Sequence, residues 1–309
     1  MTVDFGRDIA SDLGNAERRE WLVTNGIGGF ASGTIAGVLT RRYHGLLLAA
    51  LQPPVGRTLL VSKLDETVTC AGKEYPLYNN SWVGVVTEPG GHKYIERFHL
   101  EGTTPVWTFA FSDALLEKRI WMRPGANTTY VHYTLHRACL PVTLSAKALV
   151  NYRSYHSETR ANNWQMRVEP VDHGLRVVAY DGATPFYLLS DRATAEPKHD
   201  WYYRFFLIRE ANRGLAAIED HLCAGAFQIT LAPGESFTFV ASIEATPNLD
   251  GSAAYVERQT YEADLLKQAG LATAEQGSSG AGETSLPRPL TSSPLPPRTS
   301  APLRQLVLA

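Results

Sequence analysis

This chain has little cysteine, no long apolar run near its start and almost no net charge, and each shortage narrows what it can be. Its three cysteines, Cys70, Cys139 and Cys223, are odd in number, widely spaced and free of any Cys-x-x-Cys pair. That argues against a disulfide framework or a zinc site, and for a reducing compartment. The longest apolar run near the N-terminus, 46–51, is far too short to span a bilayer. The opening Met-Thr-Val-Asp-Phe-Gly-Arg-Asp lacks the apolar stretch of a signal peptide. A cytoplasmic chain without membrane association is therefore expected. A net charge of −2 supplies no field to gather nucleic acid, which is not expected as a partner.

Aromatic residues are what the chain has in quantity: 14 Tyr, 11 Phe and 6 Trp. They suit a β-rich core or a sugar-binding surface, and composition does not separate the two. Period-two alternation favours the first. Tyr130-Val-His-Tyr-Thr-Leu135 puts Val131, Tyr133 and Leu135 on one face and His132 and Thr134 on the other, and Phe237-Thr-Phe-Val-Ala-Ser-Ile243 repeats the pattern. Further strand-like runs fall near 44–50, 57–63, 94–100, 106–111, 115–122, 142–151, 164–169, 174–180, 186–190 and 226–231, divided by turn signals such as Pro124-Gly125 and Pro233-Gly234. Many short strands with little helix predict a mainly β chain, a large antiparallel sandwich over residues 1–250.

After Pro247 the pattern changes. Residues 252–268 carry Tyr255, Val256, Tyr261, Leu265 and Leu266 among charged residues, which predicts an amphipathic helix that Gly270 ends, here taken as a linker over 251–270. Residues 271–309 hold six prolines and no aromatic residue. Such a segment buries too little apolar surface to offset its ordering entropy, and disorder is expected.

The stretch from Asn25 to Gly45 concentrates special-purpose residues. Gly26, Gly28, Gly29, Gly33 and Gly37 precede Arg41, Arg42, Tyr43 and His44. Glycine is tolerated where backbone turns tightly or approaches a ligand, and the cluster after it offers fixed donors, an aromatic face and a titratable ring. Gly26-Ile-Gly28-Gly-Phe-Ala31 fits a loose dinucleotide fingerprint, but Gly33 and Gly37 spoil the helix it needs, and the first acidic residue after it is Asp65. On a strand, His132 and His136 lie roughly 13 Å apart and cannot share a metal ion. His92 and His99 lack a third ligand. Asp65, Glu66, Glu88, Glu96 and Glu101 are available for glycoside hydrolysis, yet no spacing selects a pair, and no Gly-x-Ser-x-Gly elbow is present. No catalytic residue, metal or cofactor is expected.

A binding surface is the better reading. Trp82, Trp107, Trp121 and Trp164 are read mostly as core, and Trp201, beside Tyr202 and Tyr203, more as a surface plate. In Asn151-Tyr-Arg-Ser-Tyr-His156, Arg153 and His156 repeat the chemistry of residues 41–44. Sugars present apolar C–H faces rimmed by hydroxyls, which aromatic plates beside bidentate donors match.

Three motifs in order, Glu20-Trp-Leu-Val-Thr-Asn-Gly-Ile-Gly-Gly-Phe-Ala-Ser-Gly-Thr34, Thr40-Arg-Arg-Tyr-His-Gly-Leu-Leu47 and Val61-Ser-Lys-Leu-Asp-Glu66, resemble the N-terminal domain of bacterial and archaeal glycogen debranching enzymes, which are amylo-alpha-1,6-glucosidases. Asn151–His156 and Asp200–Tyr203 fit the same family, and the likeness runs from about Phe5 to Gly270. It implies a β-supersandwich of the galactose-mutarotase-like kind, glycogen or a branched α-glucan as partner, and a separate (α/α)6 barrel carrying the catalytic carboxylates. By that resemblance Arg41, Arg42, Tyr43, His44, Arg153, His156 and Trp201, with the loop of Asn25, Gly26, Gly28 and Gly29, face the substrate. Where the linker to the barrel is expected, the Pro/Ser-rich tail begins, and Arg304–Ala309 resembles the opening of the barrel's first helix. The expected origin of this tail is a frameshift or misread gene segment, or a natural insertion before a truncated barrel. Two other roles stand beside glucan binding: a structural domain that packs on the barrel, and a stand-alone mutarotase-like enzyme using His44 or His156 as acid or base.

Overall fold

A computed structural model describes residues 3–84 and 87–270. The expected disordered tail, 271–309, lies outside the described residues.

Strand β1 (Asp4–Gly6) and helices α1 (Arg7–Ala10) and α2 (Leu13–Ala16) lead into β2 (Glu20–Thr24), β3 (Phe30–Thr34), β4 (Gly45–Gln52), β5 (Val55–Cys70) and β6 (Lys73–Pro76). After a 3-10 turn at Gly91–Tyr94 come β7 (Ile95–Glu101), β8 (Thr104–Phe111), β9 (Ala114–Met122), β10 (Thr128–Arg137) and β11 (Val142–Ser154). Then follow β12 (Arg167–Val171), β13 (Gly174–Val178), β14 (Phe186–Ser190), β15 (Thr194–Phe206) and the short α3 (Ile208–Ala211). Last are β16 (Ile218–Leu231), β17 (Ser236–Ser242) and α4 (Gly251–Gln268).

The first sheet has the order β1-β7-β8-β9-β10-β17-β14-β13-β12, and the second β15-β16-β11-β5-β4-β3-β2 with β6 beside β5. All of these pairings are antiparallel. The molecule is the large antiparallel sandwich that the alternation predicts. Its core is the space between the sheets, bridged by aromatic pairs: Trp21 of β2 meets Trp107 of β8 edge-on at 5.6 Å, and Phe227 of β16 meets Phe239 of β17 at 5.0 Å. Burying each such side chain contributes roughly 1.5–3 kcal/mol. In β10 the pattern is the expected one, with Val131, Tyr133 and Leu135 buried and His132 and Thr134 partly exposed. Between β16 and β17, Pro233-Gly234 forms the turn, closed by Glu235 N–H donating to the Ala232 carbonyl at 3.0 Å.

Three expectations need correction. The run at 57–63 is the first half of a 16-residue strand, β5, whose centre is buried whatever the polarity of its residues. Lys63 donates to the Gly37 and Asn79 carbonyls and to Asn80 Oδ1 and pairs with Asp65, while Glu66 pairs with Lys118 and accepts from Tyr133. Partners rather than water satisfy these charges, so alternation fades there. The strand expected at 164–169 starts at Arg167, because Trp164 closes a turn through its N–H to the Ala161 carbonyl. Helix α4 lies where expected, but the apolar residues of its stripe, Tyr255, Tyr261, Leu265 and Leu266, are only half-buried and flank its innermost line. Ala254, Arg258 and Glu262 turn inward and Val256 is 59% exposed.

Candidate functional site

The glycine-rich segment forms a braced loop between β2 and β3. Asn25 is fully buried and holds it as an Asx turn. Its Oδ1 accepts from the N–H groups of Ile27 (3.1 Å) and Gly29 (2.9 Å), and its Nδ2 donates to the Ala126 carbonyl (2.9 Å) and Asn127 Oδ1 (3.0 Å). Gly28 sits at φ +100°, where a β-carbon would collide with the Pro54 carbonyl, so only glycine fits. Arg57 Nε pins the loop from outside by donating to the Gly28 carbonyl at 2.7 Å.

Beside this loop, on the outer face of the β2–β3 edge, opens a cleft of about 650 Å³. Gly26, Gly28 and Gly29 line one side, Arg41, Tyr43 and His44 another, and Leu22 and Phe30 add apolar surface. The His44 ring is buried. Its Nδ1 accepts from the Thr40 N–H at 3.1 Å, and its Nε2 lies 3.6 Å from Glu20 Oε1, which also accepts from Arg41 Nε at 2.7 Å. His44 and then Arg41 hold the Glu20 carboxyl down to about 2, against the opposing cost of burial. The cleft wall therefore carries an ionised carboxylate with a guanidinium against it.

The two Arg/Tyr/His segments meet in space. Tyr43 Oη is 3.1 Å from His156 Nδ1, and the rings meet edge-on at 5.7 Å. Their arginines serve the contact itself. Arg42 donates to the carbonyls of His156 (2.5 Å) and Ala216 (3.0 Å), and buried Arg153 forks onto Glu219 while donating to the Arg42 carbonyl at 2.9 Å. Arg42 and Arg153 thus face inward as braces, and Asn25 props the loop from below. Trp201 stands apart on β15, donating to the Trp164 carbonyl at 3.1 Å and lining no part of this cleft.

Glu20, Phe30, Leu22 and Arg57 were not among the expected site residues. Glu20 opens the first motif, and period-two spacing from it places Leu22 on the same face. Nothing in the sequence marks Arg57. Of the carboxylates considered for hydrolysis, Asp65 and Glu66 are buried and paired, the former with burial raising its pKa. His136 pairs with Glu117 at 3.2 Å and His132 sits 3.0 Å from Thr238 Oγ1.

Two antiparallel sheets closed over one core, with a polar and aromatic cleft on the outer edge of the second, define a large β-supersandwich domain. Residues 19–238 match the family model described as glycogen debranching enzyme N terminal, and the chain belongs to that family. Among solved structures, a bacterial glucoamylase complexed with acarbose is 10% identical, with 84% of this chain and 37% of that one covered and a TM-score of 0.32. A putative kojibiose phosphorylase from the human microbiome is 11% identical over 71% of this chain and 27% of its own, with a TM-score of 0.28. This chain therefore spans well under half of either structure. No curated protein matches it.

Proposed function

We propose that this chain is the glucan-binding, substrate-positioning part of a cytoplasmic glycogen debranching enzyme. It holds glycogen or another branched α-glucan in the Glu20–Arg41–Tyr43–His44 cleft. The carrying observation is the cleft's composition. Phe30, Leu22 and Tyr43 offer apolar surface to sugar C–H faces, while Arg41 and Glu20 offer a donor and an acceptor to hydroxyls that do both. Among the described residues Glu20 is the one carboxylate lining the cleft, and a group held near 2 is a poor general acid. Glycoside hydrolysis needs two carboxylates in distinct roles. This supports binding here; on the proposed reading, cleavage of α-1,6 bonds belongs to an (α/α)6 barrel partner.

Calorimetric titration of the full chain with maltotriose and glycogen tests the reading. Binding that Tyr43→Ala together with Arg41→Ala weakens about tenfold or more is expected, on the scale of one lost stacking contact and one lost charged hydrogen bond. No heat and no retention on glycogen would leave the structural role. Mutarotation or hydrolysis by the chain itself would support the enzyme reading instead.

A further inference from the structure

A second depression, of about 350 Å³, adjoins the first, and Arg57 lines both. Arg57 Nη1 is 3.5 Å from Tyr155 Oη, and its guanidinium lies 5.6 Å from the centre of the Tyr155 ring. Tyr43, from the first cleft, meets the same ring edge-on at 5.6 Å. The partition between the two clefts is thus one layer of side chains: Arg57, Tyr43 and Tyr155. On the far side stand Tyr152 and Tyr180, edge-on at 5.3 Å. Tyr152 Oη is fixed by accepting the Thr184 N–H at 3.2 Å, while Tyr180, from the β13–β14 connection, is 55% exposed.

Three tyrosines around one depression make flat faces, two of them held by neighbours, so little side-chain freedom is lost when a ligand stacks. Arg153 also lines the cleft, but Glu219 neutralises its charge, and Arg57 is engaged by the Gly28 carbonyl and Tyr155. Two polar and aromatic depressions joined over one side-chain layer suit a chain of sugar rings better than a single ring.

Building on the proposed glucan binding, we infer that the Tyr152–Tyr155–Tyr180 cleft takes further glucose units of the same α-glucan, so that the protein grips an oligosaccharide across Arg57. Calorimetry on the full chain with maltotriose and maltoheptaose tests this. The longer sugar should bind about tenfold tighter, and Tyr180→Ala should cost maltoheptaose about three- to tenfold, the worth of one stacking contact, without affecting maltotriose. Tyr180→Phe should restore the difference, and the melting temperature of both variants should stay that of the parent, since the ring is exposed. Equal affinity for the two lengths, or a Tyr180→Ala variant that binds both as the parent does, overturns the inference. In either case maltotriose binding sensitive to Tyr43→Ala leaves the first cleft's reading standing. If neither sugar binds, that reading falls and takes this inference with it.

Discussion

Glu20 shows how one contact sets a pH response. Its carboxyl lies at about 2 against an ordinary 4.5, because the folded chain favours the ionised form through His44 and Arg41. A depressed folded pKa adds stability that is fully present above 4.5 and is lost as the pH falls from there toward 2. Glu20→Gln should therefore lower the melting temperature near neutrality and converge on the parent at the acid end of that window. The carboxylate is partly exposed, so screening keeps the difference to about 1 kcal/mol or less. A melting difference independent of pH would contradict this. Arg153 is a harsher case. It forks onto Glu219, whose pKa burial raises, and both side chains are almost wholly enclosed. Arg153→Ala strands that acid and should cost about 3–5 kcal/mol in denaturant unfolding, most of it recovered by adding Glu219→Leu. This also explains what sequence conveyed about the site. Residue chemistry marked segments 41–44 and 153–156 as alike without bringing them together, and arginines that brace and arginines that line a cleft are the same letter. Only the partners distinguish Arg41, open to the cleft, from Arg42 and Arg153.

Elements were legible where one face meets the core and the other meets water. Strand β10 is of this kind and its alternation marked it within about two residues of its ends; β17 was found as closely, although from Phe237 onward both its faces are buried. Alternation failed for β5, where Lys63 and Asp65 are buried on the outer side by Asn79 and Asn80, and for β15, whose 13 residues are mostly exposed and carry a charged, tyrosine-rich pattern. Strands β2 and β3 escaped for another reason: Gly33 reads as a loop residue, but its missing side chain makes room for the Trp21 ring, 3.1 Å from where a β-carbon would stand. Helix α4 lies where its pattern predicts, but its apolar residues flank its anchor rather than form it, because that anchor is charged. Arg258 donates at 2.7 Å to each of Glu262 Oε1, the Thr24 carbonyl and Thr103 Oγ1. Arg258→Met removes that anchor and leaves Glu262 buried without its cation, and should cost about 3–5 kcal/mol. Val256→Ala, on the side the apolar pattern favoured, should stay within about 0.5 kcal/mol of the parent. Denaturant midpoints of the two variants measure the contrast, and equal midpoints would restore the apolar-stripe reading.

On the scale of the whole molecule α4 is a strap between the two sheets. Its first turn packs on β10 and β17, with Gly251 close against His132 and Thr238. One turn on, Ala254 and Tyr255 cover Trp121 and Tyr130, and Arg258 then crosses to the end of β2 in the second sheet. Tyr261 Oη reaches Gly26, 2.9 Å from where a β-carbon would stand, so the strap also backs the loop that floors the cleft. Stability and sugar binding should therefore depend together on this helix. Ending the chain at Leu249 removes a buried ion pair and uncovers an aromatic cluster, a loss of several kcal/mol that corresponds to a fall of about 10 °C in melting temperature for a domain of this size. The same truncation should weaken maltotriose binding by loosening the Gly26 loop. Ending the chain at Gly270 keeps the strap and should change neither property. Scanning calorimetry and sugar titration on the two shortened chains measure both effects. If melting falls while affinity stays that of the parent, the helix supports the sandwich but not the loop. If neither changes, the anchor at Arg258 carries none of the stability assigned to it.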